Sequence, residues 1–433
     1  MGESLVLGIV LGVMVLFVVM MLSGRFSFGL IGLSCIAILV LSGAAPMEQA
    51  LSGFYDKNVV MLAGMFAIAG MLGKTRLVES IKTKLTSGQE SGKGDLRIVL
   101  SLLVIAVILA QFMTSQSSII MIMMSFMMGI CEESEEIKLS RILLPLTFVM
   151  TAFMGKFPVG STGVTTYLML NQFIEASGSN QMLDVLSLMK CTLIPGIIGL
   201  LYCAFTYKML PKKDVDTSAF KTNKKGDDEK LDKKHEMIVY IGFIIAVAGL
   251  FLSAQLGARA MFIPVAICII MIFTGTMKEN YFLNSLIHGP VPMCATILGI
   301  ANVLTASGAG DIIGNGVLKI LGGNPSPLMI VSVFAFVTII TTSFISNTAT
   351  FMVLVPIACS VCAAAGYDPR AAVVACFSCS LLSVLTPMAN TGSAITYSAC
   401  NLSVKNTFLW AFPCALICTV ATIANCLYVY PMR

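Results

Sequence analysis

Apolar runs of about 17 to 20 residues, the length that crosses a ~30 Å hydrocarbon core as helix, follow one another along almost the whole chain. Short polar turns separate them. The pattern predicts ten spanning segments, near 4–23, 26–43, 58–73, 141–175, 190–208, 237–254, 259–276, 288–305, 370–402 and 409–429. Two of these, 141–175 and 370–402, are too long for one simple helix. Each carries a midway cluster of Gly, Pro and small polar residues, which predicts a broken helix. Two further apolar stretches, 97–130 and 326–365, have Ser, Thr, Asn or Gln at their centres. They read as re-entrant hairpins, because irregular backbone at membrane depth survives only where protein or water satisfies its polar groups.

Composition excludes a soluble globule. Of 433 residues, 57% are hydrophobic and 11% charged, and mean hydropathy is +0.92, whereas soluble domains carry about 25% charged residues. The first run has no basic residues before it and no small-residue cleavage site after it, so it reads as a retained helix. The fold class expected is an all-α polytopic membrane protein, multi-pass in the cell (inner or plasma) membrane. Placing the N-terminus outside puts Arg25, the basic stretch 74–97, Lys138, Arg141, the linker 209–236 and Lys278 on the inner side. That is the asymmetry of cytoplasmic loops. Both termini then face out, and the charged linker reads as a solvated cytoplasmic connector that carries no chemistry, His235 included.

The two halves, 1–208 and 237–433, read as repeats. PVGSTG at 158–163 matches PMANTG at 387–392 at an offset of 229 residues. FMTSQSS at 112–118 lies over FISNTAT at 344–350, and MLGKTRLVESI at 71–81 over VLTASGAGDII at 303–313, both at an offset of 232. With five spans in each half, the second repeat is inverted relative to the first. Paired broken helices in inverted repeats are the architecture of secondary transporters, which bind their cargo where the repeats meet. At such breaks helix N-termini aim unpaired N–H groups and positive dipole ends into the cavity, while leftover carbonyls hold sodium. No Asp or Glu lies in these polar clusters, so a carboxylate proton relay or cation pathway has no visible residues, which tilts the ligand toward an anion.

The stretch SFISNTATFMVLVP at 343–356, together with YDKNVVMLAGMFAIAGMLGKTRL at 55–77, resembles the divalent-anion:sodium symporter family of dicarboxylate, citrate and sulfate carriers. The resemblance covers both halves. It implies sodium-coupled symport of a small divalent anion by an elevator-type homodimer, with sodium as the coupling ion. It implies a second-half sodium site of Thr342, Ser346, Asn347 and the backbone at Ala389. The substrate would take Asn347 and Thr348 from the hairpin and Asn390 and Thr391 from the break. First-half counterparts are Thr114, Ser115 and Gln116 in the hairpin and Gly160, Ser161 and Thr162 at the break. Of these, Thr114, Ser115 and Gly160 would form the first sodium site, and Ser115, Gln116, Ser161 and Thr162 would meet substrate. Here the pattern departs: Ser-Asn-Thr has become Thr-Ser-Gln, Ala110 stands where Thr342 offers a hydroxyl, and the family's Pro-Pro is Thr-Gly in both halves.

Lys156 sits inside the first broken helix, where the second half has Leu385. A central membrane Lys costs ~2.5 to 3.5 kcal/mol on insertion scales and is a functional candidate by default. It is expected to contact the anion and to stand in or beside the place of the first sodium. The 14 Cys and 29 Met lack any spaced metal-ligand pattern and read as packing. His288 reads as an interfacial residue. An uncoupled or proton-coupled anion transporter or channel is the alternative within transport. An intramembrane enzyme would need carboxylate clusters or a nucleophile with its base, and neither is visible.

Overall fold

A backbone that cannot hydrogen-bond to its solvent must bond to itself, and helices do so within one segment. The computed structural model describes residues 3–23, 26, 28–76, 95–112, 116, 119–120, 123–124, 127, 138–158, 161–213, 231–251, 256–287, 290–387 and 389–432. Among these every regular element is a helix. The first half runs α1 (Glu3–Ser23), α2 (Phe28–Leu41), α3 (Met47–Ala50), α4 (Lys57–Gly73), α5 (Asp95–Phe112), α6 (Leu139–Phe153), α7 (Ser161–Ala176) and α8 (Ser187–Thr206). The second runs α9 (Lys233–Phe251), α10 (Ile263–Phe273), α11 (Glu279–Ile287), α12 (Pro290–Ala306), α13 (Ala309–Ile320), α14 (Pro327–Thr342), α15 (Asn347–Ala365), α16 (Arg370–Ser380), α17 (Thr391–Ala399) and α18 (Val404–Val429).

The repeat offsets map one list onto the other: α1 onto α9, α2 onto α10, α4 onto α12, α5 onto α14, α6 onto α16, α7 onto α17 and α8 onto α18. Packing follows the same exchange. Helix α2 lies on α12, and their counterparts α10 and α4 lie on each other; α6 meets α17, and α16 meets α7. The counterparts α8 and α18 pack side by side.

Both broken helices are present. The first interruption follows α6 at Met154, with Gly155 in the left-handed region at φ 71°. The second covers 381–390, between α16 and α17. The stretch 326–365 folds as two helices about a tight turn, with Ser326 and Pro327 opening α14 and Gly366 (φ 73°) closing α15. Of its partner stretch, 97–112 lies in α5 and 116, 119–120, 123–124 and 127 are also described, while 77–94, 214–230, Arg25 and His288 lie outside the described residues.

Several spans are shorter than the apolar runs suggested. The run at 259–276 yields only 11 residues of α10, because 3-10 turns occupy Gly257–Phe262, Pro264 opens the helix and Gly275 at φ 70° ends it. By length and composition alone, Ser187–Met209, Asn347–Ala365 and Val404–Val429 are the three long enough to cross a membrane among the described residues. Asn347–Ala365 is thus longer than a hairpin arm requires. Helices α11 and α13 were not expected from the hydropathy. Helix α13 is amphipathic, burying Ala309 and Leu318 while Ile312 and Ile320 face outward, and it packs along α15.

Candidate functional site

Four helix ends converge where the second hairpin meets the second break. Thr342 is the last residue of α14 and Ser380 the last of α16; Asn347 is the first of α15 and Thr391 the first of α17. Two carbonyl-bearing C-termini, negative by their dipoles, therefore lie beside two N–H-bearing N-termini. The N-termini are capped from their own sequence. Ser346 Oγ accepts from Ala349 N at 3.2 Å, and Asn390 Oδ1 accepts from Ser393 N at 2.7 Å. The hairpin tip is tied to the break loop by Ser343 Oγ and Ser383 Oγ, 3.0 Å apart, and by Thr386 Oγ1 donating to Ser343 O. Tyr397 braces the loop from below, its hydroxyl donating to Val384 O at 2.9 Å.

The Asn347 side chain, 6% exposed, sits in the middle of this junction. One edge of its amide lies 2.8 Å from Thr342 Oγ1, 3.0 Å from Ser380 O and 3.0 Å from Ala389 O. Thr342 Oγ1 is also 2.8 Å from Ser380 O. One hydroxyl proton serves only one acceptor, so the network closes when Thr342 donates to Ser380 O and Asn347 turns Nδ2 inward to donate to Thr342 Oγ1 and Ala389 O. Three oxygens from three segments thus surround one amide edge. Neutral hydroxyl and carbonyl oxygens at helix C-termini are the donor set of a hard monovalent cation, and Asn347 Oδ1 turned inward would complete a fourth oxygen. The residues fit a sodium ion.

The first half reaches the same place through Gln116. Its Oε1 lies 3.3 Å from both Thr391 Oγ1 and Gly392 N, and its Nε2 faces Met154 Sδ at 3.8 Å. Behind this contact Thr147 Oγ1 of α6 and Thr396 Oγ1 of α17 lie 2.7 Å apart. Gln111 ties the end of α5 to the first break by donating to Phe153 O at 3.1 Å, while its own Oε1 is buried without a partner among the described residues.

The repeat-equivalent glycines at the two breaks differ in how closely backbone approaches. A β-carbon at Gly163 would lie 1.8 Å from Phe157 O, a backbone atom, whereas one at Gly392 would meet Asn390 Oδ1, Ile120 and Thr147 at 3.1 to 3.2 Å. Gly163→Ala is therefore expected to cost about 3 kcal/mol and Gly392→Ala about 1 kcal/mol, from the usual penalties of overpacking. Thermal melts of the purified variants check the order, and equal losses would show that the first break yields as easily as the second.

A family model described as a citrate transporter matches residues 14–315 and 260–432. The chain belongs to the citrate transporter family. Among its relatives, an uncharacterized transporter of Haemophilus influenzae is 23% identical over 401 residues, covering 88% of this chain and 83% of that protein. The uncharacterized transporter YfbS of Escherichia coli K12 is 26% identical over 139 residues, 32% of this chain and only 22% of that protein's length. Two solved structures share the fold: Neisseria gonorrhoeae MtrF, described among antimetabolite efflux pumps (TM-score 0.54, 14% identity, 90% of this chain and 84% of that one), and the YdaH transporter of Alcanivorax borkumensis (TM-score 0.53, 11% identity, 88% and 86%). The protein is accordingly a helical membrane transporter and not an enzyme.

Within this citrate transporter family member, Thr342, Asn347 and the Ala389 carbonyl lie together. Ser346 is not with them: its hydroxyl caps α15 and it faces outward. Thr348, the second residue of α15, is half-buried, and Asn390 is turned to its own helix as a cap, with Nδ2 3.3 Å from Ser383 O. Thr391 and Gln116 meet across the halves. Ser161 and Thr162 open α7, while Thr114, Ser115 and Gly160 lie outside the described residues. Lys156 is 4% exposed, with no side-chain hydrogen bond or ion pair among the described residues. The ionisable groups around it are the thiols of Cys379, Cys418 and Cys426 from α16 and α18. The sequence reading missed Ser380, since the contributing atom is a backbone carbonyl that no side chain announces. It also missed Gln111 and the Ser343–Ser383 tie.

Proposed function

We propose that the protein is a secondary active transporter that couples sodium to the movement of a small di- or tricarboxylate, or sulfate, across the cell membrane. The observation that carries this reading is the convergence of Thr342 Oγ1, Ser380 O and Ala389 O on the Asn347 amide, directly beside the N-terminus of α17. Oxygen-rich helix C-termini suit the cation, and N–H-rich helix N-termini suit the anion. The citrate transporter family membership supports a carboxylate as cargo.

The reciprocal packing of counterpart helices supports two inverted repeats, 1–208 and 237–433, joined by a cytoplasmic linker at 209–236. One apolar core gathers residues of α4, α7, α9 and α10 apart from the larger core around α8, α14, α16 and α18. An elevator in which the hairpins and breaks move as one body against the remaining helices, in a homodimer, is the arrangement that the family resemblance implies. Lys156 is assigned as a fixed cation beside the first-half site. Carrying a dianion into a negative interior costs about 4.6 kcal/mol per 100 mV, and co-transported sodium offsets this on each cycle. A lysine returns with the empty carrier and cannot. Fewer coupled sodium ions are therefore expected than a carrier with two complete sites would use.

Uptake of labelled citrate, succinate and sulfate into proteoliposomes tests the reading. An inward sodium gradient should accelerate one of them at least tenfold over choline, with a sodium Hill coefficient near 1. Uptake indifferent to sodium would overturn the coupling, and a steep multi-ion dependence would remove the role given to Lys156.

A further inference from the structure

The Asn347 amide has two edges, and their surroundings differ. The inner edge meets only acceptors: Thr342 Oγ1, Ser380 O and Ala389 O within 3.0 Å. The outer edge meets no acceptor among the described residues. With Nδ2 inward, the inner edge is satisfied and the junction needs no ligand. A half-turn of the amide reverses this. Oδ1 then faces three oxygens, an arrangement that only an inserted cation makes favourable, and Nδ2 faces an edge without a protein acceptor, an arrangement that an inserted acceptor makes favourable.

Building on the sodium reading above, we propose that rotation of the Asn347 amide is the element that couples the two cargoes: filling the cation cage turns Nδ2 outward and thereby creates the demand for an anion. One planar group cannot present the same atom to both sides, so each ligand selects the orientation that the other requires. The coupling is reciprocal, as linkage demands. It also explains why the empty carrier is stable on its own: the amide's own N–H groups stand where the cation would be met. Burial at 6% exposure matters here, because water at either edge would satisfy both orientations and erase the preference.

The test measures binding rather than transport. Purified full-length protein is titrated with citrate, succinate and sulfate in parallel at graded sodium chloride, with choline chloride holding ionic strength, and sodium binding is read separately from the thermal shift. In the wild type, the affinity for the transported anion should rise about 10- to 100-fold between no sodium and saturating sodium, the range typical of coupled sites. Asn347→Asp presents oxygen at both edges. It should keep the sodium-induced thermal shift, while its anion affinity, whatever its absolute value, should vary less than twofold with sodium. Thr342→Ala removes one cage oxygen but leaves the amide free to turn. It should need more sodium yet reach the same maximal enhancement, which keeps the idea testable if Asn347→Asp fails to fold. An Asn347→Asp protein whose anion affinity tracks sodium as the wild type's does would overturn the proposal, and so would a reduced maximal enhancement in Thr342→Ala. A wild type that binds sodium and anion independently defeats the amide switch alone. A wild type with no sodium-induced shift and no sodium-dependent binding defeats the sodium reading beneath it.

Discussion

Asn347→Ala should abolish sodium-dependent anion uptake, by about 100-fold or more, while the protein still purifies as a folded species. The substitution removes the one side chain that touches Thr342 Oγ1, Ser380 O and Ala389 O together. It leaves the Thr342–Ser380 hydrogen bond intact, so one arm of the junction is preserved. The Ala389 carbonyl loses its donor, and a buried unsatisfied acceptor costs about 1 to 3 kcal/mol. That is enough to lower the melting temperature without unfolding a chain held by two apolar cores. Function suffers more than stability because both ligands lose their shared contact at once. Initial uptake rates in proteoliposomes, set against a melt of the same preparation, check the split. Uptake within twofold of wild type would show that the junction is structural only.

Lys156→Met should move stability and transport in opposite directions. The ammonium is 4% exposed, with no hydrogen bond or ion pair among the described residues, and the thiols of Cys379, Cys418 and Cys426 are poor counter-charges. A charge held so costs stability, and a methionine of similar length fills the same space without that cost. The variant is therefore expected to melt higher than wild type. If the fixed cation serves the anion, uptake should fall about tenfold or more and the anion affinity with it, while the sodium-induced thermal shift from the second-half cage persists. Improved stability with unchanged uptake would mark Lys156 as a tolerated burden; lower stability would point to a structural role for the ammonium.

Much of the fold could be read from the chain because a membrane permits few solutions. The apolar runs and the twin PVGSTG and PMANTG clusters predict broken helices within 141–175 and 370–402 from the positions of Gly and Pro, and the helices stop there at Met154 and Leu381. The SNTAT turn likewise announced the start of α15, since Ser is a strong N-cap and Asn tolerates the turn. Lengths were less legible. Hydropathy cannot separate the 3-10 turns at Gly257–Phe262 from the helix that follows them, because both are apolar. Helices α11 and α13 escaped because their polar faces interrupt the runs that mark a span. The proposed cation cage was half legible. Thr342 and Asn347 would offer side-chain oxygens and carry a signature; Ser380 would contribute only as the last carbonyl of α16, and any residue there would supply the same atom. The family resemblance implied Ser346 as a cage residue, but the orphan N–H groups of α15 claim its hydroxyl.

The pairing of Thr147 with Thr396 bears on how the chain is made. Helix α6 leaves the ribosome about 249 residues before its partner on α17, an interval of roughly 12 to 50 s at usual elongation rates of about 5 to 20 residues per second. Through that wait a lone hydroxyl in the apolar interior would be a standing defect, liable to pair with the wrong helix or to draw water inward. Thr147 avoids this because its proton already goes to Leu143 O, 2.8 Å away, one turn back along its own helix. Only its lone pairs remain open, and Thr396 arrives as a donor to fill them. The nascent first half can thus rest in the bilayer with its polar seam quiet, and accept the second half when synthesis delivers it.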